Sequence, residues 1–363
     1  HYANEALMPL KRLQIINFRC FKEKSFEFSS GTNLILGPNG SGKTSILEAL
    51  NILLKGNSFR VKETKECINS SKDFYNISSI GELRDNKLKL KVENSLSKRL
   101  SSKRTLEDIP IKKEDIYFYQ LIIAKHLQML EGEPDFRRDF FNDLMFHVKP
   151  ETKKLHNQYQ KAVKQRNKCL KNKFSDVEIS LWSKEVSTLG LELSLQHYEF
   201  FKIFKVNVKN YVEKIVSTGS FSYLDKVDVT FSKGWERTKK LDDSLKQSLE
   251  KDKALGYTSK GPHRMDFTFK VNEKNASKTF SRGQLKILIL LVFLSCSKIV
   301  KSLTDKESIL LIDDLGSELD SHNLNSIIKH ILQTESQIIF TGIEGKEMHA
   351  SVSKLTNFTQ INL

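Results

Sequence analysis

The chain has 363 residues, 39% hydrophobic and 28% charged, which excludes the disordered class and provides for one large core or two linked ones. Lys and Arg outnumber Asp and Glu by 59 to 44, a formal charge of +15 that points to a polyanionic partner, nucleic acid foremost, with a merely solvated basic surface as the plain alternative. The 4 cysteines are scattered without paired spacing, which argues against a zinc site or a disulfide framework, and no apolar run approaches the about 18 residues of a membrane span.

At the start, the segment HYANEAL ahead of Met8 reads equally well as an added leader or as native chain. No cleavable signal is read before the first strand, so a cytoplasmic location without a membrane anchor is expected.

Residues 33–54 read NLILGPNGSGKTSILEALNILL: a short apolar run suited to a buried strand, a glycine-rich loop, then Ile46, Leu47, Leu50, Leu53 and Leu54 at helical spacing. The loop fits G-x-x-x-x-G-K-[ST] through Gly37, Gly42, Lys43 and Thr44. In such a loop the missing side chains let backbone N–H groups wrap a phosphate. Gly37, Pro38, Asn39, Gly40, Ser41, Gly42, Lys43, Thr44 and Ser45 are thus candidate nucleotide contacts, Lys43 reaching the β and γ phosphates and Thr44 holding Mg²⁺. A glycine turn that merely enters a helix is the plain alternative. The motif leaves open a kinase, a transporter motor or a DNA-repair ATPase.

Further along, Lys87, Lys89 and Lys91 alternate with Leu88, Leu90 and Val92, the period of a half-buried strand with one cationic face. From Thr152 to Lys173 there are eight Lys or Arg and no acid. Lys87, Lys89 and Lys91 on that strand, and Lys161, Lys164 and Lys168 on a basic helix, are the candidate DNA contacts, each also readable as solvated surface. Trp182, Val186, Leu189, Leu193, Phe200, Phe204, Val208, Tyr211 and Ile215 recur at three, four or seven residues, one apolar stripe read as core rather than as a partner face.

Residues 280–286, FSRGQLK, open a long apolar helix whose polar N-terminus favours an anion. Residues 309–320, ILLIDDLGSELD, are an apolar strand ending in Asp313 and Asp314, where a carboxylate can hold the water shell of a P-loop Mg²⁺. A simple acidic loop is the alternative. P-loop, signature turn and acidic strand follow one another in the order of the ABC ATPases. That similarity implies that Ser281, Arg282, Gly283 and Gln284 cap the γ-phosphate held by another copy, so that the chain dimerises around ATP, with Asp320 in a loop that crosses the interface.

INFRCF, GEPDFRRDFF, KQRNKCL, GWER, YTSKGPHRMDF, SRGQ and DDLGSELD together resemble the RecF family of bacterial recombination mediators, which are related to the SMC-type ATPases. The resemblance spans about Leu10 to Phe340. It implies an α/β fold, an ABC-type P-loop ATPase head with a mixed or parallel sheet, plus an inserted, mainly helical lobe. Expected domains are 8–130 for the first part of the ATPase with its P-loop and basic antiparallel strands, 131–250 for the lobe, and 251–363 for the remainder with signature, acidic strand and Asp320 loop. It further implies ATP and Mg²⁺ as cofactors, an ATP-dependent homodimer, and binding without sequence preference to DNA at single-strand gaps or junctions. RecO and RecR are the implied partners, with RecA loading in gap repair, replication restart and the SOS response as the outcome.

Two positions depart from the family pattern. Gln120, in FYQLIIAKHLQML, falls where a glutamine serves the metal and the attacking water, but Ile123-Ala124-Lys125 replaces the usual turn. Thr341 stands where many ABC ATPases place histidine, either to meet the γ-phosphate or as a buried strand-end residue without a role. Asp314 takes the position of a catalytic Glu one methylene longer, and a displacement near 1 Å costs about 10²-fold in rate. Slow turnover is therefore expected, with Asp314, Gln120 and Lys43 as catalytic candidates and Thr44, Asp313 and Gln120 as metal candidates. Three readings follow: an ATP-gated DNA clamp with weak ATPase activity, a scaffold that dimerises on ATP with negligible hydrolysis, and an ABC-type subunit of another assembly.

Overall fold

The computed structural model describes residues 9–83, 85–112, 117–304, 306–343 and 358–363; the expectation about Met8 and its leader lies outside the described residues. The chain divides into two compact units, residues 1–126 with 300–363, and residues 127–299.

The first unit opens with β1 (Arg12–Phe18), β2 (Phe21–Glu27), β3 (Thr32–Gly37) and α1 (Lys43–Lys55), followed by β4 (Phe74–Leu83), β5 (Asn86–Ser95), β6 (Ser101–Leu106), β7 (Ile109–Pro110) and β8 (Phe118–Ile122). One antiparallel sheet runs β2-β1-β4-β5-β6-β7. Alternation explains it: along β5, Leu88, Leu90 and Val92 are buried, whereas Lys87 and Lys91 are exposed and Lys89 half-buried.

The second unit carries α2 (Gln128–Glu131), α3 (Pro134–Val148), α4 (Glu151–Lys171), α5 (Asp176–Val216), β9 (Val227–Ser232), α6 (Leu241–Gln247), α7 (Leu249–Leu255), β10 (Asp266–Val271), β11 (Lys274–Asn275) and most of α8 (Arg282–Thr304). Ser175 accepts from the Glu178 backbone N–H while the Glu178 carboxylate accepts from that of Ser175, a capping box that fixes where the 41-residue α5 begins. Val186, Leu193, Phe200, Phe204, Val208, Tyr211 and Ile215 are buried, and Trp182 and Leu189 partly so. Phe141 meets Phe200 at 5.2 Å and Phe267 at 5.7 Å, and Phe204 meets Phe267 at 5.4 Å between ring centroids. This aromatic cluster packs β10 against the helices of the second unit.

The first unit is completed by β12 (Ser308–Ile312), α9 (Ser321–Leu332), β13 (Gln337–Ile343) and β14 (Phe358–Asn362). These strands join β3 and β8 in a parallel sheet of order β14-β3-β13-β12-β8, whose strands are apolar runs rather than alternating patterns because both faces are covered. Both sheets share one core with α1: Leu13, Tyr75 and Leu90 from the antiparallel sheet and Ile35, Ile339 and Leu311 from the parallel one. By length and composition α8 is long and apolar enough to cross a bilayer, but most of it is buried inside the protein, as befits a core helix.

Candidate functional site

The loop between β3 and α1 brings the P-loop residues to the end of the parallel sheet. Gly37 is tightly hemmed, because a Cβ there would meet Ser41 Oγ at 2.6 Å and Leu363 Cβ at 3.1 Å. Gly42 has φ 102°, a left-handed conformation that a side chain disfavours, and a Cβ would also strike Phe21 at 2.7 Å. Gly42 is the N-cap of α1 and carries no side chain, so the first backbone N–H groups of the helix have no side-chain cap. The Ser41 hydroxyl is buried without a hydrogen-bond partner. Lys43 Nζ reaches back over the loop, donating to the Gly37 carbonyl at 2.6 Å and the Pro38 carbonyl at 2.8 Å. An uncapped helix N-terminus, an ammonium and an orphan hydroxyl together form an electropositive cradle that fits phosphate oxygens.

Beside the cradle stands a carboxylate. The Thr44 hydroxyl lies 3.2 Å from both oxygens of Asp313, the first residue past β12. Asp313 is itself held by its backbone N–H, which donates to the Ile122 carbonyl at 2.8 Å. The Thr341 hydroxyl, 1% exposed, donates to Asp313 Oδ1 at 2.8 Å and accepts the Asp314 backbone N–H at 2.8 Å, and the Thr341 carbonyl accepts from Leu315 N–H at 3.0 Å. Asp314 turns through φ 52°, a left-handed conformation sparsely used by non-glycine residues. Hard oxygen donors from Thr44 and Asp313 suit a small divalent cation.

Gln120 lies on β8, the strand next to β12. It pairs in register with Leu310 inside β8, three residues short of Asp313, and is 5% exposed. Its neighbours Tyr119 and Leu121 face the core shared with α1, so strand alternation turns Gln120 to the opposite sheet face. β8 continues to Ile122, which places Gln120 in the strand interior, two residues before its end.

In the second unit, Ser281 and Gln284 form a reciprocal cap at the start of α8. The Ser281 N–H donates to Gln284 Oε1 at 2.9 Å and the Gln284 N–H to Ser281 Oγ at 3.3 Å. Arg282 is exposed and Gly283 half-buried. In the first unit, Asp320 caps α9, accepting from the Asn323 N–H at 2.8 Å, and that bond holds its carboxyl below the usual range.

The remaining family-like residues have structural partners. Arg137 is bidentate to Asp266 at 2.7 and 2.9 Å, and Arg138 donates to the Met265 carbonyl at 3.1 Å. His263 Nε2 lies 2.9 Å from the Thr258 carbonyl and Nδ1 2.6 Å from the Tyr159 hydroxyl, and burial pushes its pKa down to about 4, so a neutral ring bolts the turn. Arg264 sits over the Tyr257 ring at 5.1 Å. One link escaped sequence reasoning. Fully buried Glu48 on α1 is held by Arg19 at 2.6 and 2.9 Å and by Ser58 at 2.5 Å; burial raises its pKa, but these bonds outweigh it and the net shift is downward. A glutamate on the apolar face of α1, among Ile46, Leu47 and Leu50, was the available signal.

Among the basic candidates, Lys89 pairs with Asp108 at 2.6 Å and Lys91 with Glu93 at 2.6 Å. Lys87 is exposed on the same strand face. Lys161, Lys164 and Lys168 are exposed on α4, and no carboxylate among the described residues pairs with them.

A family model described as the RecF/RecN/SMC N terminal domain matches residues 9–362. A DNA replication and repair protein RecF of Pseudoalteromonas translucida is 31% identical over 368 residues, covering 98% of this chain and 97% of the relative. Another from Aliivibrio salmonicida is 31% identical over 366 residues, with 96% and 97% covered. Among solved structures, the recombination mediator protein RecF-ATP in the RecFOR pathway superposes with a TM-score of 0.75 at 21% identity, 95% of each chain covered. An Smc head bound to the C-winged helix domain of ScpA gives 0.54 at 14% identity, covering 94% of this chain and 91% of the other; both likenesses concern the fold. The matches in sequence carry the assignment further: the chain belongs to the RecF family, the DNA replication and repair proteins of the SMC-like ABC ATPase group.

Proposed function

We propose that the chain is a cytoplasmic, ATP-dependent DNA-binding recombination mediator that dimerises around ATP and Mg²⁺ and hydrolyses the nucleotide slowly. The observation that carries this reading is the Thr44–Asp313–Thr341 cluster beside the uncapped start of α1. The cradle residues Gly37 to Ser45 would bind the phosphates, with Lys43 leaving its two loop carbonyls for them, and Thr44 and Asp313 would hold the cation. When bound, the cation supplies charge stabilisation to the phosphoryl oxygens. Asp314 orients the attacking water, and its short, left-handed position keeps turnover low. The backbone N–H groups at the start of α8, presented by the Ser281–Gln284 cap, serve as the anion contact offered to a second copy.

On this reading the dimer engages DNA at gaps or single-strand to double-strand junctions through phosphate contacts. With RecO and RecR it promotes RecA loading in gap repair, replication restart and the SOS response, and hydrolysis releases the clamp. A scaffold with negligible hydrolysis is the second reading, favoured by the strain at Asp314. Asp314→Asn separates them: lost turnover with intact dimerisation supports the clamp, and unchanged turnover supports the scaffold.

The test is the solution mass by light scattering with ATP and Mg²⁺, with ADP, and with Ser281→Arg plus ATP. Dimers with ATP alone, abolished by the Ser281 change, are expected. Monomers under all three conditions, with nucleotide binding shown separately, overturn the shared-site reading.

A further inference from the structure

In the second unit, β9 is the outer strand of the sheet β11-β10-β9, and among the described residues its far edge pairs with no strand. Val229 and Phe231 share a face with Phe269 and Phe267, their partners on β10, and this face packs on α5 through the stacked pair Phe201 and Phe231, 4.9 Å apart. Beyond the β9 edge, α5 continues as an exposed stripe: Leu191 is 43% exposed, Leu195 64%, Tyr198 49% and Val206 54%. Edge and stripe enclose a groove of about 1190 Å³. Such a stripe is the floor that one more strand would cover.

We propose that this groove receives an extended acidic peptide, which adds as a fourth strand along β9 and turns alternate aliphatic side chains onto α5. A groove between a helix and a sheet edge is a recurring peptide-recognition geometry, in which main-chain hydrogen bonds give affinity and the helix face selects side chains. Charge specifies the occupant. Lys202, Lys205, Lys209, Lys233 and Arg237 line the groove and no carboxylate does. Glu199, Asp228 and Glu213 pair with the first three from the rim, but these are solvent-exposed pairs that a peptide carboxylate can share or replace. Single-stranded nucleic acid fits less well. Bases need free aromatic faces, whereas Lys202 covers Tyr198 at 5.4 Å, Lys233 covers Trp235 at 4.4 Å, and Phe231 is stacked on Phe201.

The test pans a displayed library of random nonapeptides on the whole chain, then measures recovered peptides by fluorescence anisotropy alongside an oligothymidylate. The expected result is peptides rich in acidic and aliphatic residues, bound at least about tenfold more weakly by Lys202→Glu and by Leu195→Asp. Amide exchange across Val227–Ser232 should slow when such a peptide is bound. Both changed positions are exposed, so the variants fold, which circular dichroism verifies. Failure to recover such peptides, binding unaffected by both variants, or protection of β9 by the oligothymidylate instead overturns the proposal.

Discussion

Thr341 Oγ1 stands 2.8 Å from Asp313 Oδ1 and accepts the backbone N–H of Asp314, so one buried hydroxyl on β13 fixes both aspartates at the end of β12. The hydroxyl is engaged on both sides, which sets aside the reading of an idle strand end. Thr341→Val keeps the shape and removes both bonds. Mg²⁺-dependent nucleotide affinity or turnover should fall by about 10- to 100-fold, as for other groups that orient a metal ligand, while Thr341→Ser retains most of it. A Mg²⁺ titration of nucleotide binding, with the melting temperature as control, checks this. A Val variant that binds as the parent does would reduce the hydroxyl to a packing detail.

The two groups of lysines should behave differently towards DNA. Changing Lys161, Lys164 and Lys168 together to Gln removes three exposed cations from α4 that pair with no carboxylate among the described residues, and the slope of log affinity against log salt should drop by about 0.9 for each phosphate no longer neutralised. The same change at Lys87, Lys89 and Lys91 should have a smaller effect, because two of these are already paired with Asp108 and Glu93. Anisotropy titrations on a gapped duplex at several salt concentrations distinguish them.

Within the helical unit, Arg166 and Asp252 are both 0% exposed and joined at 2.8 Å. Asp252→Ala strands a buried guanidinium and should cost about 3–5 kcal/mol in urea unfolding. Adding Arg166→Met removes the stranded charge and should recover part of that loss. A single change that costs no more than an ordinary surface substitution would refute the assignment.

His197 is 1% exposed, and burial, then the neighbouring His156, push its pKa from 6.5 to about 3. The folded state thus holds the ring neutral where the unfolded chain takes up a proton. Its contribution is fully present above the unfolded value and declines as pH falls towards the folded one, by at most about 1.4 kcal/mol per pH unit. Denaturant midpoints between about pH 5 and pH 7 should drop with acidity, and His197→Gln should flatten that trend.

The P-loop was legible because a strand, a glycine loop and an amphipathic helix are contiguous and each carries a local pattern. Asp313 was legible for the same reason. What could not be read was register. Whether Gln120 lies at the exit of β8 or inside it depends on how that strand aligns with β12, a pairing between segments far apart in the chain. The partners of Thr341 depend likewise on β13 meeting the end of β12. The α5 stripe read as core ran true, but the second, mixed stripe through Leu195, Tyr198 and Lys202 lacked a clean period because aliphatic and cationic residues share it. The SRGQ cap was written in the sequence as Ser-x-x-Gln; its reciprocal bonding needed only the capping rule.

The strand order β14-β3-β13-β12-β8 has a consequence for biosynthesis. β3 and β8 leave the ribosome early, yet the strands that separate them, β12 and β13, are made long after both; Thr32 must find Ile338. Until then the nascent chain holds two apolar strands with open edges, and pairings of such sequence separation form slowly. Any product terminated before Ser308 would retain those edges, so premature release should yield aggregates or chaperone-bound fragments rather than a smaller folded head.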